Sequence, residues 1–175
     1  MVNETVVLTL LLPEPKHGYH LLDEADRAIG PDETFDTRRL YSTLRRLEQQ
    51  GAVASHLEPS PRPGAPHRKV YGVTAAGRRL LQDLVADPKN AADRRRFFLS
   101  LSLWHLIPTA AQHHLLAQRR AWLAAELVHF ETVAAWPGDT YWSRAVLEFQ
   151  RHQILEEHDW LDTLAHERGL DDGHD

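Results

Sequence analysis

The 175-residue chain contains no cysteine, which excludes a disulfide framework and any metal site built on thiolates. Long hydrophobic runs are missing as well. The longest near the N-terminus, Val6 to Leu12, is too short to span a bilayer and has neither the basic lead nor the small-residue cleavage site of a signal peptide. A cytoplasmic protein without membrane contact is expected. The phrases GxSxG, GxxxxGK followed by Ser or Thr, GxGxxG and HExxH do not occur. Glu156, Glu157, Asp159 and Asp162 are spaced like a solvated helix face, so no enzyme activity is expected. The twelve histidines do not form a ligand pattern: His17 and His20 can share a helix face, but His113 and His114 point apart. Neither metal nor cofactor is expected.

What the chain does have is charge sorted by region. The overall net charge of −5 averages unlike segments. Residues 1–35 hold two basic and seven acidic side chains, and residues 36–79 hold nine and three. Residues 80–120 hold six and three, and residues 121–175 hold three and twelve. A basic block between acidic ends is the footprint of a local contact with a polyanion, or a chance clustering of surface charge.

Periodicity and punctuation divide the first half into short elements. Val2 to Leu12 reads as a helix stopped by Pro13 and Pro15. Residues 17–30 place Leu21, Leu22, Ala25 and Ile29 at helical spacing before Gly30 and Pro31. A third helix begins after Asp36, a good N-cap, and ends at Gly51. Residues 52–60 and 68–74 alternate as two strands around a turn supplied by Pro61, Pro63, Gly64 and Pro66. Thr74 can cap a further helix, which Gly77 weakens.

The third helix has two faces. Leu40, Leu44 and Leu47 share one, with Tyr41 at its edge; Arg38, Arg39, Ser42, Arg45, Arg46 and Gln49 share the other. Arginine offers a fork suited to guanine, and glutamine can pair with adenine. A solvated face would look the same in isolation. Here, however, the helix precedes a hairpin whose tip carries Arg62, His67, Arg68 and Lys69, the element order of a winged helix-turn-helix. Tyr41 reads equally as a rim residue or a phosphate contact, and Tyr19 and Tyr71 as packing residues. Lys16 and His17 precede a helix N-terminus that could hold a phosphate, or they lie in an ordinary exposed loop.

The second half begins at a polar break over residues 86–91, which places a DNA-binding domain at 1–87 and a helical domain at 92–175. Three helical stretches follow, at about 92–106, 109–135 and 140–168. Leu116, Leu123 and Phe130 recur every seven residues, as do Leu147, Ile154 and Leu161, so these helices pack side by side within one chain or across a dimer. All five tryptophans, Trp104, Trp122, Trp136, Trp142 and Trp160, lie here. They suit core and interface packing, while Trp104, Trp122 and Trp142 are candidates for the wall of a ligand site.

Three phrases, HGYHLL (17–22), LYSTLRRLEQQGAV (40–53) and PHRKVYGVTAAGRRLL (66–81), resemble the PadR family of transcriptional regulators in content and order. EEHDWLDTLAHERGL resembles that family's C-terminal helical domain more loosely. The resemblance implies a mainly helical fold with a small β-hairpin wing, a winged helix-turn-helix followed by an α-helical dimerisation domain. It also implies a homodimeric repressor on a pseudo-palindromic double-stranded DNA operator, released by a small effector such as a phenolic acid or a flat aromatic drug. Carried over by position, Tyr41, Ser42, Arg45 and Arg46 lie on the recognition helix, and Arg68 and Lys69 on the wing. Family members often carry small or hydroxyl residues where this chain has Arg38 and Arg39. The rival expectation is a winged-helix protein-interaction module that does not read DNA sequence. On the DNA reading, Arg45→Ala or Arg46→Ala weakens specific binding, and Lys69→Ala weakens binding to all sequences alike.

Overall fold

The computed structural model describes residues 2–29, 35–60, 67–134 and 140–169, and divides into two compact units, Met1–Val85 and Ala86–Asp175. In the first, α1 (Val2–Leu10) runs through the middle and buries four consecutive residues, Thr5 to Leu8. A helix apolar all round belongs inside. Helix α2 (Gly18–Ile29) and helix α3 (Thr37–Gln49) pack against it and against each other. The Asp36 side chain accepts a hydrogen bond from the Arg39 amide at 2.6 Å, a cap contributing about 1 kcal/mol. Leu40, Leu44 and Leu47 are buried, as the helix spacing predicts. At the other end Gly51 sits at φ 68°, in the left-handed region, with no close neighbour around it. Conformation alone therefore favours glycine there.

Strands β2 (Val53–Glu58) and β3 (Arg68–Val73) pair antiparallel from Val53↔Val73 to Glu58↔Arg68. A third strand went unread in the sequence. Lys16–His17, β1, pairs with Tyr71 and Val70, giving the order β1-β3-β2. Two residues are too few to show an alternation, so only the partner strand reveals it. The Thr74 hydroxyl accepts from the Gly77 amide at 3.0 Å and donates to the Gly51 carbonyl at 2.7 Å. It thereby starts α4 (Ala75–Ala86) against the end of α3. Gly77 is more than a weak helix former: a Cβ there would lie 2.0 Å from the Ala52 carbonyl oxygen. Glycine is what allows α4 to approach the backbone this closely.

The second unit opens with a 3₁₀ turn over Pro88–Ala92, capped by Asp87, and continues into α5 (Arg94–Ser102), capped by Asp93. A second 3₁₀ turn covers Trp104–Leu106. The single helical stretch expected at 92–106 is thus interrupted twice. Asp93 is extended and restarts the helix with its own side chain, and Leu103 leaves the helical region at φ −107°, ψ 17°. Two long helices follow, α6 (Thr109–Ala134) and α7 (Tyr141–Arg168), which pack against each other. Thr140 caps the start of α7, and Gly169 ends it at φ 62°. Leu116, Leu123 and Leu161 are buried in one core with Phe97, and Ile154 packs on it. The seven-residue stripes therefore meet within the chain. Arg119, 1% exposed, is inside this core. It bonds Glu157 at 2.7 Å and the Ala91 carbonyl at 2.8 Å, and it lies over the rings of Phe97 and Trp122 at 5.3 and 4.6 Å.

Candidate nucleic-acid interface

Because the leucines of α3 face inward, Arg38, Ser42, Arg45, Arg46 and Gln49 face outward and are exposed. Arg39 is half-buried, and its carbonyl accepts the hydroxyls of Ser42 and Thr43 at 2.9 and 2.8 Å. Tyr41 is 44% exposed and lies over the start of α2. A Cβ on Gly18 would come within 2.7 Å of the Tyr41 hydroxyl, so this glycine makes room for the ring. The sheet brings the hairpin alongside, with His67, Arg68 and Lys69 exposed. Arg62 lies outside the described residues. Between α2, Tyr41 and β3 is a cavity of about 360 Å³, lined by His17, Gly18, Tyr19, His20, Tyr41, Arg68 and Lys69. The Nδ1 atom of His17 is buried there without a hydrogen-bond partner among the described residues.

The cations picked out by their position in the sequence fall into two sets. Three of them have carboxylate partners. Lys16 bonds Glu24 at 2.6 Å, Arg46 bonds Glu4 at 2.9 Å, and Lys69 bonds Glu48 at 2.9 Å. Arg38, Arg45 and Arg68 make no ion pair among the described residues. The sequence reading singled out none of these carboxylates: Glu4 comes from α1, and Glu48 sits on α3 itself. The clue available was a neighbouring acid in an otherwise basic helix.

Glu48 is the most connected of the three. Burial works to raise its pKa, but hydrogen bonds from the Ser55 hydroxyl and from Lys69, together with the lysine's charge, hold it below the ordinary carboxylate range. Its hydrogen bond to Lys69 in turn raises the ammonium above its usual value, against a smaller opposing effect of burial. Lys69 also stands 5.0 Å over the Tyr71 ring, and burial raises the Tyr71 hydroxyl. The carboxylate thus ties the end of α3 to both strands of the hairpin, through Ser55 on β2 and Lys69 on β3. His17 and His56 both approach Glu58, at 3.9 and 3.1 Å.

In the second unit the three candidate tryptophans do not come together. Trp104 lines a cavity of about 560 Å³ with Leu101, Ser102, His105, Gln112, Leu116, Trp160 and Leu164. Trp122 stacks on Arg119 and lines a smaller cavity of about 190 Å³. Trp142 is 75% exposed on α7. Trp160, not singled out from the sequence, is the second indole of the larger cavity and stacks on Phe98 at 5.6 Å. Among the described residues no group of histidines and acids could hold a metal ion, and no helix is long and apolar enough to cross a membrane.

Residues 7–83 match the model of the transcriptional regulator PadR-like family. The probable transcriptional regulator Rv1176c of Mycobacterium tuberculosis is 32% identical over 82 residues. That alignment covers 47% of this chain and 42% of the relative, so the chain spans less than half the length of the curated relative it matches. Bacillus subtilis PadR, solved in complex with operator DNA, aligns over 94% of this chain and 97% of its own at 16% identity and a TM-score of 0.44. A PadR family transcription regulator from Clostridium difficile aligns over 46% of this chain and 80% of its own, at 21% identity and a TM-score of 0.40.

Proposed function

Residues 7–83 belong to the PadR-like family of transcriptional regulators, and from that premise we propose that the chain is a homodimeric, ligand-responsive repressor whose α3 reads an operator in the DNA major groove. The observation that carries this reading is the outward face of α3 with Arg38 and Arg45 unpaired among the described residues, beside a hairpin that presents Arg68. Arginine and glutamine side chains on an exposed helix can reach base edges, and a wing cation beside them can reach the backbone. The cavity at the start of α2 offers a third contact, since helix N-terminal amides and His17 favour a phosphate oxygen. Two copies of such a head match a pseudo-palindromic site.

The ion pairs sharpen the residue roles. Arg45, Arg38 and Arg68 meet DNA directly, while Lys16, Arg46 and Lys69 do so only after leaving a carboxylate. Lys69→Ala is therefore expected to loosen the hairpin more than it flattens the salt dependence, a revision of the role its sequence position suggests. The effector part of the proposal rests on the cavity between Trp104 and Trp160. Its volume is in the range of small-molecule sites, and its walls are apolar with a few polar groups. Effector binding there would shift operator affinity by the difference in its affinity for the two states of the dimer.

The test is fluorescence anisotropy on DNA from the chain's own upstream region, against scrambled competitor and over a salt series. Selective binding that survives competitor, and that Arg45→Ala weakens on operator but hardly on scrambled DNA, supports the reading. Weak, unselective binding removed by modest salt leaves only the backbone contribution. A protein-interaction module then becomes the better account. Aromatic acids titrated into the operator complex test the effector: release of DNA with quenching of tryptophan emission supports it, and quenching without release separates ligand binding from regulation.

A further inference from the structure

Which compound the cavity between Trp104 and Trp160 takes depends on its polar atoms, and the answer rests on reading that cavity as the effector site. Its volume of about 560 Å³ is lined by Leu101, Leu116 and Leu164 as well as the two indoles. Phe98 stacks on Trp160 at 5.6 Å with the rings 25° from parallel, which fixes the plane of that indole. Among the described residues no Asp, Glu, Lys or Arg lines the cavity. An ionised ligand seated there loses its water and finds no opposite charge in the lining.

Two polar side chains of the lining have fixed roles. Gln112 is half-buried and donates both amide hydrogens to the protein itself, to the carbonyls of Trp104 at 3.0 Å and Ile107 at 3.1 Å. Only the nitrogen can face two carbonyl oxygens, so chemistry fixes the orientation of this amide. Its Oε1 is left as an acceptor with no partner among the described residues. The Ser102 hydroxyl donates to the Leu99 carbonyl at 2.8 Å. Its one hydrogen is used, and it too can only accept. Trp104, Trp160 and the exposed His105 can each donate an N–H, which serves a neutral oxygen as well as a charged one. Both fixed atoms therefore require a hydrogen from the ligand.

We propose that the ligand of this cavity is an uncharged aromatic compound bearing an N–H or O–H donor, its ring against the indoles and its donor on Gln112 Oε1. A carboxylate brings acceptors only. Beside Gln112 and Ser102 it sets lone pairs against lone pairs, with no cation in the lining to offset them. An organic ammonium has the donors but lacks an opposing carboxylate. A neutral amide or phenol satisfies the acceptors without burying a charge, and a flat ring suits the indole surfaces.

Calorimetric titration of the full-length protein with 4-hydroxybenzamide and with 4-hydroxybenzoate isolates the charge, since the two probes share their shape and their phenol. At neutral pH the amide should bind roughly tenfold more tightly or better. A neutral probe without donors, 4-methoxy-N,N-dimethylbenzamide, should bind about tenfold more weakly than 4-hydroxybenzamide. Ser102→Arg places a cation at the cavity, in the last turn of α5 where the helix end favours one. It should shift the preference towards the acid by about tenfold. If the acid or the donor-free probe binds as tightly as the amide, the ligand class is wrong and the cavity remains an effector site. If none of the probes binds at millimolar concentration, the class and the site both fall. Selective binding of the amide that leaves operator affinity unchanged upholds the class and sinks the ligand-responsive part of the proposed function.

Discussion

The two units use the same chemical pair, a basic side chain with a glutamate, to opposite ends. In the C-terminal unit Arg119 and Glu157 are nearly excluded from water, at 1% and 6% side-chain exposure. In the N-terminal unit Arg46 is 52% and Lys69 45% exposed, each beside a partly covered glutamate. Removing one member of a buried pair strands a charge and costs several kcal/mol. An exposed pair contributes little to stability, so its main effect is on the field outside the protein. The difference separates a charge that holds helices together from charges that set how strongly a surface attracts an anion.

The largest expected effect comes from breaking the buried pair. Arg119→Ala should destabilise the C-terminal unit by about 3–5 kcal/mol, seen as a lowered midpoint in thermal or urea unfolding. It also empties the space between Phe97 and Trp122 and leaves the Ala91 carbonyl without its donor. An unchanged midpoint would mean that the pair is not enclosed as described. Next in size is Arg45→Ala, expected to cost about 1–3 kcal/mol on operator DNA with little effect on scrambled DNA. Arg46→Ala should cost less, because Glu4 already engages its guanidinium. Equal losses for the two would erase the distinction between paired and unpaired arginines.

The smallest effect on stability, below about 1 kcal/mol, belongs to Glu48→Gln, which keeps the shape and removes the charge facing Lys69. Releasing that lysine should strengthen binding to all DNA sequences and steepen the salt dependence by up to about one counterion per head. A purely structural role would weaken binding and leave the slope alone. The pH dependence has a definite sign. Glu48 is lowered in the folded state, so its contribution is present above the ordinary carboxylate range and is lost as pH falls through the lowered value. Hairpin proteolysis should therefore rise on acidification in the parent chain and change less in Glu48→Gln.

Much of the fold was legible locally. The Asp36 and Thr74 caps, the Gly51 stop and the leucine face of α3 each depend on residues a few positions apart. Local signals of that kind survive into the structure. The second half was harder because α6 and α7 are apolar on more than one side. Their sevenfold stripes show that they pack, and neither stripe names its partner. Strand β1 was invisible for a related reason, being set by the strand that lies opposite it.

The sequence by itself determined the leucine face that α3 buries and that a two-stranded hairpin follows, because helix period, strand alternation and caps act over a few residues. It also determined that no thiol, membrane-spanning helix near the N-terminus or familiar catalytic phrase takes part. Tertiary structure alone decided which cations remain unpaired. Glu4 reaches Arg46 and Glu48 reaches Lys69 only once α1, α3 and the hairpin have packed. Coulomb attraction acts through space and falls with distance, so partners remote along the chain leave no local pattern to read.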